Sequence, residues 1–120
     1  MSHEIDKFLF FHSKHGGTGK KFRFKFIEYK KNNLKLEGRF TKDMINPGPE
    51  GFVQGGQITS ILDDVTALLL IYESNGEIYP SSTNLHTIFH RPIKVGTYLC
   101  KATLISKGKN IATVKGAIYN

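Results

Sequence analysis

Two adjacent acids, Asp63 and Asp64, interrupt the otherwise apolar stretch FVQGGQITSILDDVTALLLIY, residues 52–72. A partly buried aspartate can act as a general base or as a nucleophile. The same stretch opens on Gly55-Gly56. A helix that starts there presents free backbone N–H groups and the positive end of its dipole. Glycine also lets a ligand come close to the backbone. Such an end can bind an anion, or stabilise an oxyanion that develops during acyl transfer. Gly-Gly is common at turns, so the pair means little without the acids.

The two acids are not equivalent. At about 100° per residue, Asp63 falls beside Thr59 and Ala67, off the main apolar face. It lies too deep to cap the helix. Asp64 falls on the other flank, beside Ser60 and Leu68. The plain alternative for each is a solvent-facing residue. A helix enclosed by sheet has little such surface, so at least one acid should be buried or in a cleft. Eight residues of helix separate Gly55 from Asp63 by about 12 Å, whereas an oxyanion donor and a base acting on one carbonyl must both be close to it. One helix cannot supply both to one substrate. Two antiparallel copies about a twofold axis can, which predicts an active site at a homodimer interface.

Other candidates fail on spacing. HGGTGK at 15–20 resembles a phosphate loop, but Lys14 and Lys21 stand where that loop needs Gly and Ser or Thr. His86 and His90 would lie roughly 13 Å apart along one strand, and His12 and His15 have no partners at metal-ligand spacing. No metal site is expected. Cys100, in GTYLCKATLI, reads as core filling.

The elements that position these residues follow from periodicity. A short helix within 1–13 is weakly signalled, and HSKHGGTGKK (12–21) is a loop. KFRFKFIEY (21–29) and NLKLEGRFT (33–41) alternate apolar and polar residues as half-buried strands, with KKNN as their hairpin turn. KDMINPGPEG is a loop. Ile58, Ile61, Leu62, Val65, Leu69 and Tyr72 recur at helical spacing. Leu68, Leu70 and Ile71 widen that face, and ESNGE ends the helix. Strands are expected at 79–91, 96–106 and 110–119, with turns at Arg91-Pro92 and SKGKN. Five strands and one long helix predict an α+β domain, an antiparallel sheet curled round a central helix.

Composition is that of one ordinary globular domain over 1–120, with 39% hydrophobic and 22% charged residues. A net charge of +7, with Lys and Arg concentrated in the first 42 positions, favours anionic partners. MSHEIDK is charged and FLFF too short for a secretory core. The run ALLLIY is far below the roughly 20 residues of a membrane span. A single cysteine fits a reducing cytoplasm, the expected location. No membrane partner is expected. A nucleic-acid platform built on the Phe/Lys/Arg strand 21–29 is a rival reading. Strict alternation favours a half-buried strand over three exposed stacking rings, so no nucleic acid is expected.

VQGGQITSILDD resembles the glycine-pair helix motif of hotdog-fold acyl-CoA thioesterases, specifically the phenylacetate-degradation (PaaI-like) branch. Gln54 and Asp63 match the motif's His/Gln and Asp/Glu positions, and INPGPEGFV is similar to its Asn-Pro-x-Gly loop. TNLHTIFHRPIKVGTYLCKATLISKGKNIATVKGAIYN is similar to its strand–Arg-Pro–strand–Gly-turn–strand ending. The resemblance covers roughly 33–120; residues 1–32 are not diagnostic. It implies a hotdog fold, a homodimer that could pair into a tetramer, and hydrolysis of an acyl-CoA thioester without a cofactor, coenzyme A being part of the substrate. The Gly55 N–H would polarise the thioester carbonyl, with Gly56 beside it. Asp63 of the other subunit would be base or nucleophile. Ser82, with Thr83 as second choice, would orient the attacking water. Asn46 matches the loop asparagine near the thioester, although the loop here is about two residues longer, and Gln54 replaces the commoner histidine. Arg91, Lys94, Lys107 and Lys109, near strand ends and turns, are candidates for the coenzyme A phosphates. The rival from another class is a hotdog module that binds acyl-CoA or acyl carrier protein without turnover.

Overall fold

A computed structural model describes residues 19–119. The expected short helix within 1–13, and most of the basic loop after it, lie outside the described residues. A one-turn helix α1 (Gly19–Phe22) leads into β1 (Lys25–Lys30) and β2 (Asn33–Phe40). A 3-10 turn (Lys42–Met44) and a loop then reach the long helix α2 (Gly55–Glu73). The chain closes with β3 (Gly96–Lys107) and β4 (Ala112–Tyr119). All three ladders are antiparallel, in the order β1-β2-β3-β4.

Each element answers to its residues. KKNN does form the hairpin turn: Lys31 (φ 44°) and Asn32 (φ 65°) both take positive φ, as a two-residue turn matched to strand twist requires. In β2 the residues Leu34, Leu36, Gly38 and Phe40 all face inward and are buried. α2 lays Ile58, Ile61, Val65, Leu68, Leu69, Ile71 and Tyr72 into the core against them, with Cys100 and Ala102 of β3. Burying one such Leu or Phe side chain stabilises the fold by about 1.5–3 kcal/mol. The helix sits so close that a Cβ on Gly38 would stand 2.7 Å from Ile61 Cδ1, and one on Gly116 would stand 3.0 Å from Thr66 Cγ2. Glycine at these two positions is what lets helix and sheet meet. ESNGE ends the helix as expected. Gly76 takes φ 79° and its N–H donates to the Ile71 carbonyl at 2.8 Å.

Two expectations are corrected. The strand expected at 21–29 begins at Lys25, because α1 occupies Gly19–Phe22 and Arg23 takes φ 50°. Phe22 and Phe24 are buried nonetheless, Phe22 edge-on to Phe40 at 5.9 Å between centroids. A bulge between Phe26 and Glu28 then resets the alternation, so Phe26 and Tyr29 both reach Tyr72, at 5.9 and 4.4 Å.

The second correction concerns 79–91, which is not a strand. Among the described residues four strands form rather than five. Pro80 and Pro92 remove backbone donors near the two ends of this segment. Its hydroxyl side chains reach across to α2, and a wide cleft separates it from the outer edge of β4.

Candidate active site

The start of α2 is held by a small hairpin. Ile45 bridges Val53, the Asn46 N–H donates to the Phe52 carbonyl at 2.8 Å, and the Gln54 N–H donates to the Met44 carbonyl at 2.8 Å. The Val53 N–H donates to the Ile93 carbonyl at 2.7 Å, tying this hairpin to the stretch before β3. Gln54 is the N-cap residue, but its side chain makes no capping hydrogen bond, and the first turn carries no acid. The Gln54 amide instead folds over Gly56, where a Cβ would stand 2.9 Å from Oε1. The positive end of the helix is thus uncompensated. Lys21 reinforces it, its Nζ donating to Gln57 Oε1 at 3.0 Å. Developing negative charge on a carbonyl oxygen is favoured there.

Asp63 sits two turns further along and is half-buried, as is Asp64. The expectation of at least one acid out of bulk solvent is met for both, but only Asp63 meets Ser82. The Ser82 hydroxyl donates to Asp63 Oδ1 at 2.5 Å, across 19 residues of chain. A short O–H···O⁻ bond of this kind is charge-assisted and among the stronger hydrogen bonds. It leaves the second carboxylate oxygen able to accept a proton. Ser82, rather than Thr83, is the hydroxyl that reaches the acid.

The stretch that carries Ser82 runs back along α2. Thr59 Oγ1 donates to Thr87 Oγ1 at 3.2 Å. The Phe89 ring covers Gly55, with two ring carbons 3.4 Å from where a Cβ would be. Between this stretch, α2 and β4 lies a cleft of about 1140 Å³. Ile58, Leu62 and Leu70 of α2 and Val114 and Ile118 of β4 make its floor apolar. Ser82 and Thr83 line it, and so do Arg91, Lys107 and Lys109. Asp63 and Gly55 lie outside that lining, so Ser82 is the link between the acid and the cleft.

The remaining candidates divide. Arg91 and Lys109 are exposed beside the cleft. Lys107 is already engaged, with Nζ 3.1 and 3.0 Å from the two Glu73 carboxylate oxygens. Lys94 points elsewhere, its Nζ 5.8 Å from the centre of the Phe52 ring. Asn46 is exposed on the hairpin before α2. His86 and His90 are exposed, and among the described residues no group of three or more His, Cys, Asp or Glu could hold a metal ion. No helix among them is long and apolar enough to cross a membrane. Cys100 is fully buried, and burial pushes its thiol up to about 12 despite a backbone hydrogen bond at Gly38. It is packed as core, not poised as a nucleophile. Sequence reasoning missed Lys21, Thr87 and Phe89. The one available signal was Thr59, one turn from Asp63 on the same stripe.

A curled antiparallel sheet against one long helix, with an acid inside that helix and a glycine pair at its head, defines the hotdog architecture. The chain belongs to the thioesterase superfamily, whose family model matches residues 50–120. Its structural neighbours include a phenylacetic acid degradation-related protein from Ralstonia eutropha JMP134, at 26% identity and TM-score 0.77, covering 97% of this chain and 88% of that one. They also include the Escherichia coli PaaI protein of the phenylacetic acid degradation operon, at 18% identity and TM-score 0.72, covering 98% and 83%. A Streptococcus mutans UA159 protein bound to acetyl-CoA is similar at 15% identity and TM-score 0.62, covering 80% of this chain and 85% of that one. No curated protein matches the chain in sequence.

Proposed function

We propose that the chain hydrolyses an acyl-CoA thioester at a site shared by two protomers. The observation that carries this reading is the 2.5 Å hydrogen bond from Ser82 to Asp63, which joins the acid at the motif's spacing to the first of the two hydroxyls expected to serve it. Asp63 takes a proton from water held beside Ser82. That water attacks the thioester carbonyl, and the oxyanion forms against the Gly55 N–H of the partner subunit. Collapse of the tetrahedral intermediate breaks the C–S bond and expels the coenzyme A thiolate, which takes up the proton released by Asp63, leaving the free acid and an ionised Asp63. Two copies are required because Gly55 and Asp63 lie about 12 Å apart on one helix. The acyl group occupies the apolar cleft, and Arg91 and Lys109 at its margin pair with the coenzyme A phosphates. The neighbour bound to acetyl-CoA supports a coenzyme A ester as ligand.

The test is thiol release from acetyl-, octanoyl-, palmitoyl- and benzoyl-CoA. Turnover of at least one is expected, and none at all sinks the hydrolase in favour of a binding module. Asp63→Asn should then remove most of the turnover while the dimer stays folded. Full activity in that variant takes Asp63 out of the mechanism.

A further inference from the structure

Residues 79–91 form no ladder with any strand among the described residues, so side chains must set their placement against α2. From 81 to 92, Thr87 alone among these residues is half-buried while its neighbours are exposed. Its hydroxyl accepts from Thr59 at 3.2 Å. Thr59 lies one helical turn before Asp63 and on the same stripe. One stripe of α2 thus carries both the acid and a second attachment point for the segment that brings Ser82 to it.

We propose that Thr87, bonded to Thr59, is a positioning residue that holds Ser82 against Asp63; this rests on the hydrolase reading above. Ser82 is exposed and lies in a run of exposed residues, 81–86. Its bond to Asp63 cannot by itself fix the segment and also adjust as water is activated. Thr59 and Thr87 remove that conflict by anchoring the backbone five residues further on.

The experiment uses the full chain and whichever of the four acyl-CoA esters turns over fastest. Thr87→Val keeps the shape and removes the hydroxyl. It should lower kcat by about tenfold, as a small misplacement of a catalytic group does, with KM changed less than about twofold. Thr87→Ser should restore kcat. In a Ser82→Ala background Thr87→Val should cost nothing further, because Thr87 acts through Ser82. Wild-type kcat in Thr87→Val, failure of the Ser variant to restore it, or an equal loss in the Ser82→Ala background would each overturn the proposal.

Amide hydrogen exchange gives a readout independent of turnover. Thr87→Val and Thr59→Val should both speed exchange over residues 79–91, and Thr87→Ser should not. Unchanged exchange in the two Val variants overturns the anchor. If the wild-type protein cleaves none of the esters, the hydrolase reading falls, and exchange still decides whether Thr87 holds the segment.

Discussion

Replacing Ser82 by Ala removes one hydroxyl and little else, because Ser82 is exposed and its described hydrogen bond is the one to Asp63. A hydrogen bond to a charged group is worth about 1.5–3 kcal/mol. Exposure places this one at the low end, and about 1.5 kcal/mol corresponds to roughly a tenfold fall in kcat. The bond orients the acid rather than holding substrate, so KM should stay nearly constant. The assay is steady-state thiol release, with the melting midpoint recorded to show that the fold is intact. Thr83→Ala makes the comparison sharper. Thr83 lines the cleft beside Ser82 without the bond to Asp63, so its loss of kcat should be smaller. Wild-type kcat in Ser82→Ala, or a larger loss in Thr83→Ala, would refute the assignment of the 2.5 Å contact to catalysis.

Gly38→Ala should destabilise the fold by about 1–3 kcal/mol in urea titrations, since the added methyl meets Ile61 and Cys100 in a filled core; wild-type stability would mean that α2 does not press on β2 there. Cys100 gives a pH prediction. Its thiol is held protonated up to about 12 in the fold, against 9.0 for the exposed group. Between those values the unfolded chain binds fewer protons than the folded one, so this contribution is fully present below pH 9 and is lost as pH rises towards 12. The slope is at most about 1.4 kcal/mol per pH unit. Stability measured at about pH 8 and about pH 11 should fall more in wild type than in Cys100→Ala, and equal declines would contradict the burial argument.

Local pattern was legible wherever one face of an element is buried. Helical spacing of Ile58, Ile61, Val65 and Leu69 marked α2, and strict alternation through Leu34, Leu36 and Phe40 marked β2. The separation of Asp63 from Asp64 was also readable, since two neighbouring helical residues point to different flanks. Alternation at Phe22 and Phe24 misled, because burial of both rings is equally satisfied by a turn with Arg23 at positive φ. The segment 79–91 carries strand-like residues, but whether it pairs depends on distant neighbours. Capture of Lys107 by Glu73, 34 positions away, could not be read from charge alone. The same holds for Thr59 with Thr87: two threonines 28 residues apart have no local signature.

The central ladder has a further consequence for how the chain is made. Asn33 pairs with Thr103, and the Thr103 hydroxyl donates to the Asn33 side chain across 70 residues. Each flanking hairpin needs only its own tight turn, and hairpins form in about 1–10 µs. Joining β2 to β3 instead closes a loop that contains all of α2 and the segment bearing Ser82, and that closure entropy comes due before the contacts repay it. On the ribosome the wait is longer. Leu34, Leu36 and the apolar face of α2 emerge well before Cys100 and Ala102 exist to cover them, so this apolar surface stays open until β3 is synthesised.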